Sequence, residues 1–92
     1  MVYVLGRLKL ESYDKWKPLF DERSAIRKES GSKEAHLFLN SDDQNEAVIL
    51  FKWDSRENAQ KYMESAAMLK SLKNIGAEIM SITYLEEIEK TI

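Results

Sequence analysis

Ala47-Val48-Ile49-Leu50-Phe51-Lys52-Trp53, followed at once by Asp54-Ser55, is the stretch that decides the fold. Only Lys52 interrupts the apolar run, which marks a strand buried on both faces. The strand breaks straight into a helix start. Asp54 and Glu57 have capping-box spacing, and Ser55 is an alternative cap. Ala47, Ile49, Phe51 and Trp53 face one way, Val48 and Leu50 the other.

Working outward, Ser41 to Asn45 is a polar turn of hairpin length. It joins the opening stretch to a strand over Lys33–Asn40, with Ala35, Leu37 and Leu39 on one face and His36, Phe38 and Asn40 on the other. Upstream, Val2 to Leu10 alternates as a strand. Val2, Val4, Leu8 and Leu10 oppose Tyr3, Leu5, Arg7 and Lys9, and Gly6 marks a bulge or a close approach by another backbone. Ser12 is the expected cap of a helix that carries Tyr13, Trp16, Leu19, Phe20 and Ile26 on one side and ends near Glu29-Ser30, with Gly31 closing it. Pro18 either starts the main helix after a tight first turn or kinks it.

Downstream, Ala59, Tyr62, Met63, Ala66 and Leu69 repeat at helical spacing. Ser65 offers a restart within that helix, Leu72 and Ile75 complete the stripe, and Gly76 stops it. A last strand is expected over Ile79–Ile88, with Met80, Ile82 and Tyr84 opposite Ile79 and Leu85. The order is β-α-β-β-α-β within one domain over residues 1–92. It predicts an α+β, ferredoxin-like two-layer sandwich with both helices on one side of the sheet. The strands are apolar on both faces, so the bare side is expected to pack on a second copy of the chain as a homodimer.

Composition bounds the chemistry. Ninety-two residues with 14 basic and 16 acidic side chains give a net charge of −2. That balance supplies no field for nucleic acid and no polybasic patch for a membrane. The absence of cysteine excludes disulfides, thiolate catalysis and cysteine-held metal. A single histidine excludes a multi-histidine metal site within one chain, although carboxylates could hold a hard cation. No resident metal or cofactor is expected. The apolar start, Met1 to Leu5, is too short for a signal peptide or a span, and a cytoplasmic location is the expectation. No glycine-rich phosphate loop or nucleophile–base–acid set is visible.

The run Tyr13-Asp14-Lys15-Trp16-Lys17-Pro18-Leu19-Phe20-Asp21-Glu22, then Arg27 to Ser32, Asp42-Asp43 with Asn45-Glu46, and Phe51-Lys52-Trp53-Asp54-Ser55, resembles the dimeric α/β-barrel superfamily. Its nearest group is the antibiotic-biosynthesis-monooxygenase and cyclase-like proteins. The resemblance implies a ferredoxin-like subunit and a dimer whose two sheets close into a barrel. It also implies a pocket between sheet and helices in which aromatic polyketides are oxidised without metal or flavin, and a related branch degrades haem. Trp53 matches a tryptophan that belongs to some of those sites. The chain reads Gly6-Arg7 where catalytic members carry a first-strand asparagine, and it has no histidine on its second helix.

His36, Asn40 and Trp53 are the candidates for catalysis. A histidine and an amide in an apolar pocket suit a general base and an orienting group, and an indole at a strand end suits stacking on a flat ligand. Trp53, His36, Phe38, Arg7 and Trp16 are the candidate ligand contacts, with Arg7 placed to neutralise an anion. Each has a plainer reading: core anchors for the tryptophans, an interface or half-exposed ring for His36, a cross-sheet ion pair for Arg7. Tyr3, Tyr62 and Tyr84 could bring hydroxyls to a cavity, while Met63, Met68 and Met80 fill gaps. Two functions follow: binding, and cofactor-independent oxygenation or cyclisation, of a small apolar or aromatic molecule; or a non-catalytic metabolite-binding or assembly module. A cavity of roughly 300 Å³ or more with converging polar groups would favour the first, and a packed interior the second.

Overall fold

The computed structural model describes all 92 residues. Strand β1 (Val2–Leu10) leads to helices α1 (Tyr13–Glu22) and α2 (Ser24–Ser30), then to β2 (Ser32–Asn40) and β3 (Asp43–Trp53). Helices α3 (Arg56–Met63) and α4 (Ala66–Asn74) and strand β4 (Ala77–Leu85) complete the chain. The sheet order is β2-β3-β1-β4, antiparallel throughout. This is the ferredoxin-like α+β arrangement the element order predicts. Within one chain the sheet is open, with β2 and β4 as its edges. No helix is long and apolar enough to cross a membrane.

Each half repeats one device. Ser12 and Ser55 cap α1 and α3, their hydroxyls accepting from the N–H groups of Lys15 and Asn58 at 3.3 and 3.1 Å. Ser55, not Asp54, is thus the cap. The Asp54 carboxylate accepts instead from the Asn58 side chain. Gly31 and Gly76 end the helical segments at φ 125° and 71°. Their carbonyls receive the N–H groups of Asp54 and Glu11, at 3.0 Å each, and so tie the end of one half to the start of the other. At Gly31 a side chain would also collide with the Asp54 carboxylate.

Both helical segments are broken, and the breaks rewrite the expected faces. Helix α1 runs through Pro18 instead of starting there, with Pro18 on the exposed side. The break falls at Arg23, whose φ of −84° and ψ of 0° leave the helical basin for one residue. The phase of α2 shifts, so Ile26 is exposed and Arg27 is buried. Ser65 restarts the second segment, its hydroxyl accepting from the Met68 N–H. Ala66 and Leu69 therefore turn outward, while Met68 and Leu72 turn inward.

The strands also depart in detail. The hairpin turn is shorter than expected, since β3 already begins at Asp43. The last strand ends at Leu85 rather than Ile88, and Ile88 is exposed. A register shift beside Arg7 and Leu8 interrupts the pairing of β1 with β4. This bulge changes the parity of β4. Ile79 joins Ile82 and Tyr84 against the core, and Met80 is exposed. The core lies between one sheet face and the helices, built on Val4, Leu8, Ile49, Phe51 and Trp53 with Trp16, Tyr62 and Met63 above them.

Candidate active site

A cavity opens between the sheet and the helices. Its floor is the Gly6–Arg7 segment with Leu8, Ile49, Phe51, Ile79 and Ile82, and its roof is Trp16, Leu19 and Phe20 from α1. Tyr62, Met63, Met68 and Leu72 close the far side, and Arg23 and Arg27 enter from the α1–α2 junction. Gly6 explains why there is space. It pairs with Ile49 on one side and Ile82 on the other, in the middle of the helix-facing surface. A Cβ placed there would meet nothing within 4 Å. Gly6 is thus a missing side chain over the core, not a point of close backbone approach. The volume is about 60 Å³, room for a few waters and well below the roughly 300 Å³ of an ordinary ligand pocket.

Three polar groups meet this apolar space. The Arg23 Nε donates to the Tyr62 hydroxyl at 2.9 Å. Because the Tyr62 oxygen accepts from Arg23, its own hydrogen is left to donate elsewhere. Arg27 is buried, with its guanidinium 4.0 Å from the centre of the Phe20 ring and 6.0 Å from that of Phe51. Its Nη1 donates at 2.7 Å to the Phe20 carbonyl, in the last turn of α1. The planar, weakly hydrated guanidinium tolerates this position between aromatic faces. Sequence reasoning missed Arg23 and Arg27; the only local signal was the string of cations through a helical segment whose break was not foreseen.

The candidates drawn from sequence are dispersed. Trp16 lines the cavity. Trp53 does not; it lies behind Tyr62, ring centres 5.4 Å apart, and its buried Nε1 has no hydrogen-bond partner. His36, Phe38 and Asn40 belong to the opposite face of the sheet. His36 pairs with Leu50 across the ladder, is exposed, and lies 3.3 Å from the Glu34 carboxylate. The Arg7 backbone segment borders the cavity, but its guanidinium makes a two-pronged contact with Glu46, at 2.9 and 3.2 Å. That contact holds the Glu46 carboxyl below the usual carboxylate range against the opposing effect of burial, with a smaller contribution from Asn40. Among the tyrosines only Tyr62 reaches the cavity. Tyr84 packs at the core edge under Arg56, and burial pushes its phenol up.

The family model for antibiotic biosynthesis monooxygenases matches residues 1–74. The chain belongs to that family. No curated protein matches it. Among solved structures, this family member is similar to SnoaB of Streptomyces nogalater, described as a cofactor-independent oxygenase: TM-score 0.78, 13% identity, 97% of this chain and 94% of that one. A Deinococcus radiodurans protein described with the family's own name aligns over 100% of this chain and 97% of its own, at 17% identity and TM-score 0.67. A dimeric ferredoxin-like protein from an uncultured marine organism covers 100% and 99%, at 12% identity and TM-score 0.66. At these identities the likeness shows the fold.

Proposed function

We propose that this family member binds a small apolar or aromatic molecule in the Gly6 cavity and oxidises it with molecular oxygen. The observation that supports this most is the Arg23–Tyr62 pair set against an otherwise apolar cavity. The Tyr62 O–H donates a hydrogen bond to a ring oxygen of the ligand and so stabilises the enolate that reacts with oxygen, the methylene proton passing to water and returning when the second oxygen atom leaves as water. In an anthrone-like substrate the ring methylene becomes a ketone. One oxygen atom enters the product, the other leaves as water, and the substrate supplies all four electrons. The protein contributes orientation, exclusion of water and one directed hydrogen bond. His36 and Asn40 take no part, being across the sheet, and Trp53 acts only through Tyr62. Entry of a ring requires the space to grow, and Met63 and Met68, unbranched and flexible, are the side chains able to give way.

The same proposal includes the dimer. Leu5 and Leu50 are partners in the ladder, as are Val48 and Phe38, and together they make an apolar band on the sheet face away from the helices. Phe38 is 54% exposed there. A second copy covering this band closes two open sheets into the barrel that the resemblance implies, and one whole-chain structural neighbour is itself described as dimeric.

The small cavity volume favours a second reading, a non-catalytic binding or assembly module. Oxygen uptake with anthrone-like and quinol substrates separates the two. Uptake matched by ketone formation, and lost in Tyr62→Phe, is the expected result. No uptake across the panel would leave the second reading in place of the first.

A further inference from the structure

Arg23 and Arg27 have no counter-ion. The ion pairs of the chain are Arg7–Glu46, Lys17–Asp21 and Lys61–Glu57, and neither cavity arginine takes part in one. This is unexpected for Arg27, which is only 8% exposed in a chain with 16 acidic residues. A buried cation is ordinarily paired, because desolvating an unpaired charge is costly. Each guanidinium has five N–H donors. Arg27 spends one on the Phe20 carbonyl and Arg23 one on the Tyr62 hydroxyl. The first of these bonds also caps α1, so a structural role accounts for one nitrogen of Arg27, while the negative end of α1 and the Phe20 ring offset only part of its charge and supply no carboxylate.

From these observations we infer that the natural ligand carries an anionic oxygen group, a carboxylate on an apolar or aromatic body, held by Arg23 and Arg27 at the α1–α2 end of the cavity. The body lies over Gly6, and the carboxylate takes the guanidinium donors that the protein leaves unused. Planar guanidinium groups suit a planar carboxylate, which can accept two parallel N–H bonds. On its other side Arg27 borders a surface groove with Ser24, Lys28, Ser32, Lys33 and Glu34. The groove has more cations than its one carboxylate and offers an approach of the right sign.

The inference rests on the cavity being the ligand site, as proposed above, and matched acid and amide probes keep the two separable. Affinities of phenylacetate and phenylacetamide, and of 2-naphthoate and 2-naphthamide, are measured by calorimetry on the intact chain. Each acid is expected to bind about tenfold or more tighter than its neutral amide, the size of a charge-assisted contact. Arg23→Gln and Arg27→Met are each expected to shrink that acid-to-amide ratio several-fold, and the ratio is the readout because both affinities can fall when the cavity wall changes. The wild-type ratio needs no variant to fold, and Arg23→Gln alters the more exposed of the two arginines. Equal affinity within both pairs overturns the anion site and leaves the apolar cavity standing. An acid preference untouched in both variants overturns it too, by placing the anion elsewhere. Binding by none of the four probes overturns the cavity reading and this inference together.

Discussion

Gly6 is the residue whose small size creates the site. With φ in the ordinary extended range, it is not needed for backbone conformation; only Gly31 and Gly76 have positive φ. Its neighbours Ile49 and Ile82 are large, and the gap between them is left to the absent side chain. Gly6→Ala is therefore expected to raise stability by about 0.5–1 kcal/mol, the usual gain for replacing glycine inside a strand. It should also weaken or abolish binding of the aromatic probes. Thermal unfolding and calorimetry on one sample check both. A variant that is more stable and still binds as before would place the ligand outside this cavity. Gly6 was legible in the sequence as an irregularity in a strand. Its meaning was not, because the residues around the gap come from β3, β4 and all four helices.

At the scale of elements, the joints between strands and helices are the most sharply specified parts of the chain. Gly31 carries the joint between α2 and β2. It combines φ of 125° with the Asp54 carboxylate packed where a Cβ would sit. Gly31→Ala is expected to destabilise the chain by about 1–3 kcal/mol, from backbone strain alone. The displaced Asp54 would add to this. A chemical-denaturation midpoint unchanged by the substitution would mean that the joint relaxes freely. The Ser12 cap, the Ser65 restart and the closing glycines were read directly from the sequence, because each makes its closing bond within four residues of itself, while Ser55 stood there only as the alternative to Asp54. The helix faces were read less well. Ile26 and Leu69 were placed inward by carrying one 3.6-residue period along each segment, and the breaks at Arg23 and at Glu64 and Ser65, of which only the one at Ser65 was expected, rotated both outward. A break of one or two residues costs little locally, so it leaves a faint trace in sequence and a large one in packing.

For the whole molecule, the issue is what the sheet face opposite the helices touches. Its apolar band is set among polar groups, including the Arg7–Glu46 pair and Lys52, whose ammonium lies 6.0 Å from the Tyr3 ring. That mixture suits an interface with a defined register. In sedimentation equilibrium the chain is expected at twice its 10.7 kDa mass. Leu50→Glu, in the centre of the band, is expected to return it to the monomer by burying an unpaired charge in the interface. A wild-type chain at the monomer mass would remove the dimer and the barrel with it.

By itself the sequence determined the order of strands and helical segments, the serine cap of α1 and the glycines that close the helical segments, and the two faces of β1, β2 and β3. These follow from a side-chain period of two and from hydrogen bonds made within a turn of chain. Only the tertiary structure decided that Gly6 opens a cavity, that a bulge beside Arg7 turns Ile79 inward, and that Arg23 and Arg27 meet Tyr62 there without a carboxylate. Those features depend on which distant side chains share a volume, and no local pattern encodes the space left between residues far apart in the chain.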